Sequence, residues 1–373
     1  GSSAFALAHL AARRRRLEDT AEREAREQSR RHAMRRPELA LSLVGVDALA
    51  IDIGGGIAQL LAPPSADALL DRIGEVRRAL ATEIGLVLPG VRLRDDLARD
   101  PDTYAIRVRD RVVGEGRLVL DRLLAVGDEA VLSRLGFDVE SEPVYGLPAA
   151  WVDVSDRDRA MSSGALVFDP VSILGSHLAE TARRYAAELY GRQELQTLLE
   201  HLRASVPALV REIGTDALPI GAVHKALEHL LRERIWPRDP ILVLQALVEA
   251  PSRDPRELAE TARRAVVPDL LRRRGVMRIE PLILDPDVEL ELSRPHPDPE
   301  LALALRERLA AHAGRAAPER ATVVCTAPVR PVLADLAARG GIQADVFSYA
   351  ELPGEMQLVP VEVVNVERRA VAV

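Results

Sequence analysis

The strongest constraint in this sequence is a change of periodicity along the chain, from mixed to purely helical and back to mixed. Over residues 172–247 the apolar pattern is helical throughout. Pro207, Pro219, Pro237 and Pro240 divide that run into short helices, because proline lacks an amide proton and clashes inside a helix. Upstream, residues 39–53 are β-rich and end in Gly54, Gly55 and Gly56. Ser65 is then placed to cap a helix whose Leu69, Leu70, Ile73, Val76, Leu80 and Ile84 share one face. Residues 86–93 read as a strand. Tyr104, Ile106 and Val108 alternate with Arg107 and Arg109 in a second, and a turn leads to a third over 112–120. After Pro251 an amphipathic stretch precedes strands at 277–284, 321–326 and 361–366, with a helix near 329–339. This order predicts an α+β multidomain chain: a mixed α/β part, a helical part and a terminal α/β part. With 373 residues, 47% of them hydrophobic, the chain can bury the cores of two or more domains. Only 3% are aromatic, so those cores are aliphatic.

A net charge of −7 gives no global attraction to nucleic acid, and the arginine clusters at 13–16 and 272–274 lack the interleaved aromatics of a base-stacking surface. Lys225 is the sole lysine, which reads as compositional bias. Cys325 is the sole cysteine, so neither an intramolecular disulfide nor a cysteine-cluster zinc site is expected. No segment has the roughly 18 to 20 consecutive apolar residues that span a bilayer. The opening Gly-Ser-Ser reads as a cloning scar. The apolar run 4–12, followed at once by residues 13–16, has the order expected where a truncated membrane helix leaves on the cytoplasmic side. Residues 13–36 are charged and small, lack an apolar stripe, and read as a linker.

Motifs for catalysis are absent. The triple glycine lacks the Gly-Lys-Ser/Thr ending of a phosphate loop, and Gln59 stands where a dinucleotide fingerprint needs its third glycine; a flexible turn is expected. His224 and His229 are five apart and diverge on a helix, and His177 and His201 have no obvious partner, so no metal site is expected. Cys325 closes an apolar strand and is expected to be buried and inert. Carboxylate runs such as Asp95-Asp96 read as solvated loops.

An ordered series of short segments carries a resemblance. YGLPAAWV begins at Tyr145, GSHL at Gly175, AAELYGRQE at Ala186 and LLRERIWPRD at Leu230; GLVLPGVRLRD begins earlier at Gly85 and SYAELP later at Ser348. The set resembles the cytoplasmic region of the flagellar and type III secretion export-gate family, the FHIPEP family, from about residue 37 onward. Which of the two machines is left open by these segments.

That resemblance implies a bacterial inner-membrane protein whose membrane half precedes this cytoplasmic region. Four subdomains are implied: 38–120 with 169–189, an inserted second at 121–168, a helical third at 190–268 and an α/β fourth at 269–373. Residues 1–37 are the scar and linker. It implies no enzyme and no cofactor, energy coming from a separate ATPase complex and the proton gradient. The implied partners are export chaperones, chaperone-substrate complexes, other export components and further copies of the chain in a ring, generally a nonamer. By matching motifs, a dimple between the first two subdomains would dock chaperone-substrate complexes through Val126, Glu142, Tyr145 and Ser176. An aromatic beside an aliphatic residue anchors, and the rim carboxylate and hydroxyl give direction. Tyr145 as a seam aromatic and Ser176 as a helix cap are the structural alternatives. Arg192 and Glu194 would bridge neighbouring subunits or pair within the chain. The rival readings are a soluble α/β enzyme with a helical insertion, which needs a pocket of perturbed titratable groups, and a scaffold unrelated to secretion.

Overall fold

The protein is described from a computed structural model covering residues 45–85, 87–236, 238–316 and 320–365. The expectations for 4–12, 13–36, the 39–44 part of the β-rich stretch, Leu86, Pro237 and Val366 lie outside the described residues.

The first sheet is built around β1 (Leu49–Gly54), buried along its whole length. Gly54 runs into a 3-10 helix, Gly55–Leu61, rather than the flexible turn expected. Gly56 and Ile57 donate backbone N–H groups to Pro101 O at 2.9 and 3.2 Å, and a Cβ on Gly54 or Gly56 would collide with the 100–102 segment. The glycines are therefore there for close backbone approach. Helix α1 (Ser65–Ile84) buries Leu69, Ile73, Val76, Leu80 and Ile84 and ends at Gly85, whose φ is 76°. Ser65 lies inside it and makes no cap; Pro64 holds that position. The next strand, β2 (Val91–Asp96), starts only after Pro89 and Gly90, five residues later than expected. With β3 (Thr103–Val108) and β4 (Arg111–Arg117) the sheet order is β2-β1-β3-β4, β1 being parallel to β2 and antiparallel to β3.

The second sheet is antiparallel. It contains β5 (Arg122–Val126), β6 (Glu140–Ser141), β7 (Pro148–Asp153) and β8 (Leu166–Phe168) in the order β6-β7-β5-β8. Helices α2 (Glu129–Arg134), capped by Asp128, and α3 (Arg157–Ser162) cover one face. Alternation decides which side chain goes where. Ala125, Ala150 and Val152 form a small core with Leu132, Ala160 and Ala165, while Leu124 and Ala149 turn to the main core.

The chain then returns as α4 (Pro170–Arg184), capped by Asp169, to pack on α1. Short helices α5 (Ala186–Leu189), α6 (Arg192–Leu202), α7 (Pro207–Glu212), α8 (Ile220–Arg232), α9 (Pro240–Val248) and α10 (Pro255–Arg273) follow. Proline opens α7, α9 and α10, where its missing N–H costs nothing. Pro219 is the residue just before α8. The last part holds β9 (Arg278–Ile279), β10 (Leu282–Leu284), α11 (Pro286–Leu292), α12 (Pro299–Ala316), β11 (Ala321–Cys325), α13 (Arg330–Arg339), β12 (Ala344–Ser348), β13 (Gln357–Leu358) and β14 (Glu362–Val364). Its parallel sheet runs β12-β11-β10-β14 and has its own core. The expected strand at 277–284 is thus two, broken at Pro281.

A buried charge cluster joins α10 to this part. Arg263 is 2% exposed and bonds Glu233 at 2.6 Å, Glu351 at 2.8 Å and Val346 O at 3.0 Å; Glu351 is fully buried. Arg330, also 2% exposed, pairs with Glu233 at 2.6 Å and with Glu260.

Candidate functional site

The loop between β6 and β7 is held by one carboxylate. Glu142 is 6% exposed, and its Oε atoms accept backbone N–H from Val144 and Tyr145 at 2.6 Å and from Leu147 at 3.3 Å. Its own N–H donates to Leu147 O at 2.9 Å and its carbonyl accepts from Gly146, where φ is 71°. Glu142, which the resemblance implies as a rim carboxylate giving direction, is thus buried and acts as a clip inside the loop. What the clip presents is Tyr145, 64% exposed, with Leu147 beside it at 49%. Tyr145 is therefore not a buried seam aromatic. Partial burial raises its phenol pKa; Glu180 adds to this, Arg183 opposes, and Glu142 and Glu83 add. The loop therefore lies within electrostatic reach of α4 and the end of α1.

Val126 ends β5 at the same end of the sheet. It is half-buried against the main core and pairs across with Ala149 and Leu166. Gly127 N–H, next in sequence, donates to Pro148 O at 3.1 Å, tying that strand end to the base of the loop. Ser176 is half-buried in the second turn of α4, and its hydroxyl donates to Ser172 O at 2.8 Å. It is not a helix cap; Asp169 is, accepting from Ser172 N at 2.9 Å. The structure thus brings Glu142 and Tyr145 into one loop and Val126 to its base, with Ser176 on the neighbouring helix. No hydrogen bond links Ser176 to the other three among the described residues.

Beneath the loop lies a pair the sequence did not reveal. His177 Nδ1 and Tyr104 OH are 2.8 Å apart, edge to face, in a buried setting. Two glycines of β4 make the space: a Cβ on Gly114 would lie 2.6 Å from His177 Nε2, and one on Gly116 would lie 2.5 Å from Tyr104 OH. Gly-x-Gly within a strand, which marks one face left bare for a close neighbour, was the available signal. Burial lowers the His177 pKa; Glu142 opposes and Arg184 adds. Tyr104 is pushed above its ordinary range by burial, then by Glu142. The carboxylate that clips the loop therefore also acts on this pair, second to burial.

Glu194 Oε2 accepts from Gly191 N at 2.9 Å, closing the first turn of α6, and Arg192 is exposed; no salt bridge joins the two. His224 Nε2 sits 2.9 Å from Tyr190 O, its ring stacked on that tyrosine. Cys325 is buried, its thiol pushed up to about 12 by burial first, then by Glu289. Among the described residues no group of three or more His, Cys, Asp or Glu is arranged to hold a metal, and no helix is long and apolar enough to cross a membrane.

Known proteins resemble this chain in sequence and in overall fold. The flagellar biosynthesis protein FlhA of Bacillus subtilis is 29% identical over 360 residues, covering 89% of this chain and 52% of the relative, so the chain spans about half that relative's length. In fold the chain is similar to the Chlamydia pneumoniae CdsV protein, with a TM-score of 0.76 at 21% identity, covering 86% of this chain and 98% of that one. It is also similar to nonameric EPEC SctV-C, solved by cryo-EM, with a TM-score of 0.65 at 17% identity, covering 86% and 99%. The model of the FHIPEP family matches residues 1–357, nearly the whole sequence, and the chain belongs to that family.

Proposed function

We propose that this chain is the cytoplasmic, ring-forming part of a bacterial type III protein export gate, and that it docks chaperone-substrate complexes beside the 142–147 loop and so sorts cargo. The observation that carries the reading is the clipped loop. A carboxylate spent on three backbone N–H groups fixes a largely exposed tyrosine next to a second exposed apolar residue. Ordering such a side chain before binding is what makes an aromatic anchor effective. Val126 supplies aliphatic area at the loop base, and Ser176, whose hydroxyl already donates to Ser172 O, would offer only its acceptor lone pairs from α4. The role is docking rather than bond-making, with no cofactor, and other components of the machine supply energy.

The reading includes four subdomains, 38–120 with 169–189, 121–168, 190–268 and 269–373, with the second inserted into the first. Its support is the separate small core of the second sheet, the return of α4 onto α1 and the separate core of the C-terminal sheet. Assembly as a nonamer is supported by family membership and by the nonameric state of the EPEC neighbour. Exposed Arg192 at the start of α6 is the side chain we assign to a contact between copies; Glu194, already engaged in its own helix turn, would add only its half-exposed edge.

The test is calorimetric titration of the chain with a purified export chaperone bound to its cargo. Tyr145→Ala should weaken binding by about 30-fold or more, on the order of 2 kcal/mol for an anchoring aromatic. Val126→Asp should do the same by placing a charge on the apolar base. Unchanged affinity in both variants would refute the docking site.

A further inference from the structure

Helix α8 ends in a Schellman motif. Arg234 N–H donates to Leu231 O at 3.1 Å and Ile235 N–H to Leu230 O at 2.9 Å. The left-handed position of this motif favours glycine, yet it is occupied here by Arg234, at a φ of 56°. Among the described residues the other side chains at positive φ are Arg109 and Asp110, and the two-residue turn between β3 and β4 requires that conformation of them. Nothing in the backbone requires arginine at 234. A strained non-glycine residue points to a use for its side chain.

That side chain lines a cavity of about 260 Å³, together with Arg184 from the end of α4, Arg320 just before β11, and Gln343 and Asp345. The positive charge there exceeds what the walls neutralise. Asp345 is engaged by Arg320 at 2.5 Å, whose terminal nitrogens also each give one bond to the wall, to Gln343 and to Ala344 O, and Glu233 is held by Arg263 and Arg330. Among the described residues no carboxylate pairs with Arg184 or Arg234, and neither guanidinium makes a hydrogen bond. Arg234 is half-buried, and burial, then Arg320, lower its pKa; Glu180 opposes, Arg184 adds and Asp345 opposes. A second cavity, of about 150 Å³, shares Arg234, Arg320, Asp345 and Glu233 with the first and adds Arg183, Arg274 and Glu180, so arginines still outnumber carboxylates along it.

We propose that this junction is an oxyanion site, in which a phosphate or carboxylate group seats between Arg234, Arg184 and Arg320. Guanidinium forks match both groups by parallel N–H donation, and the cavity admits an ion of that size. The three arginines come from α4, from the turn after α8 and from the start of β11, so an occupant bonded to all three would draw three segments of the fold together. The site is separate from the 142–147 loop and does not depend on the docking reading.

The experiment titrates the chain by calorimetry and by thermal unfolding with inorganic phosphate and, separately, with an end-blocked acidic hexapeptide, each at ionic strength matched with chloride. Arg234→Gly removes the guanidinium and also relieves the left-handed strain, so the unliganded variant should unfold no lower than the parent. Arg184→Gln, at an exposed helix end, is the second variant. Saturable binding of either probe, weakened at least tenfold in both variants, supports the site, and the probe that saturates identifies the source of the anion. Stabilisation no greater than chloride gives, or binding unchanged in Arg234→Gly and Arg184→Gln, overturns it.

Discussion

Glu142→Ala should loosen the 142–147 loop without touching any partner. The native carboxylate accepts three backbone N–H groups, two of them at 2.6 Å, and each hydrogen bond to a charged group contributes about 1.5–3 kcal/mol net. The Val144, Tyr145 and Leu147 amides would lose their acceptor together, while the backbone pair between Glu142 N and Leu147 O remains. Losing one such bond's worth of local stability already shifts the opening equilibrium by roughly 10- to 100-fold. Hydrogen exchange read at these three amides is the assay, with Val152 of β7 as an internal reference. Exchange should accelerate by that factor at the loop and stay level in the strand. Glu142→Gln retains one acceptor oxygen and should fall between. Affinity for a chaperone-cargo complex should drop in parallel, because an unclipped Tyr145 must be ordered on binding at about 1–2 kcal/mol per residue fixed. Unchanged exchange at Val144 and Tyr145 in Glu142→Ala would refute the clip, and with it the link between this carboxylate and docking.

The buried cluster at Arg263 sets up a double-mutant cycle: Arg263→Met and Glu351→Met should each cost about 3–5 kcal/mol by stranding a charge, and the double variant less than their sum by about 1 kcal/mol or more. Strict additivity in denaturant unfolding would show that the two side chains are not coupled. His177 has a folded pKa below its unfolded value, so its share of stability is present above about pH 6.5 and lost as pH falls below it. His177→Asn should flatten the decline of Tm between pH 7 and 5, and an unchanged slope would remove His177 from the account. Gly54→Ala should lose several kcal/mol because its Cβ meets backbone oxygens, whereas Gly74→Ala, in open space on α1, should gain about 1 kcal/mol of helix propensity. Comparable Tm values for the two would contradict the close-approach reading.

Local pattern and tertiary pairing differ in how far the sequence reveals them. The helical face of α1 and the prolines that open α7 and α9 act within a few residues, so periodicity found them. Strand limits were missed where a breaker lay inside an apolar run: Pro89 and Gly90 delay β2, and Pro281 splits β9 from β10, because proline cannot donate to a ladder. Site residues were legible as identities but not as roles. A carboxylate in a loop reads as solvated until its acceptors are seen to face backbone N–H groups, as those of Glu142 do. Tyr104 and His177 are 73 positions apart, and nothing local announces that they meet. Arg234 was missed for a different reason. The end of α8 lacks the glycine that marks such a terminus, so neither the cap nor its arginine stood out from the sequence.

The distribution of the cores bears on how the proposed docking cleft could change width. The main cluster is continuous from β1 through α1, α4 and the helical run to Val324 and Phe347 in the C-terminal sheet. Fully buried charges, Arg263 and Glu351 among them, cross the join between α10 and the last part, and separating them would strand each in a dry interior. The second sheet is anchored differently. Its own core is small and rich in alanine, and its buried contribution to the main cluster is Leu124 and Ala149. Half-buried Val126 and Trp151 pack against that cluster too, but among the described residues no buried ion pair ties this sheet to the rest, as Arg263 and Arg330 tie the C-terminal part. A change in cleft width therefore costs least as a movement of the second sheet against α4. Such a movement carries the clipped loop, Tyr145 and Val126 as one body, and leaves Ser176 and the arginine-lined junction on the side that stays.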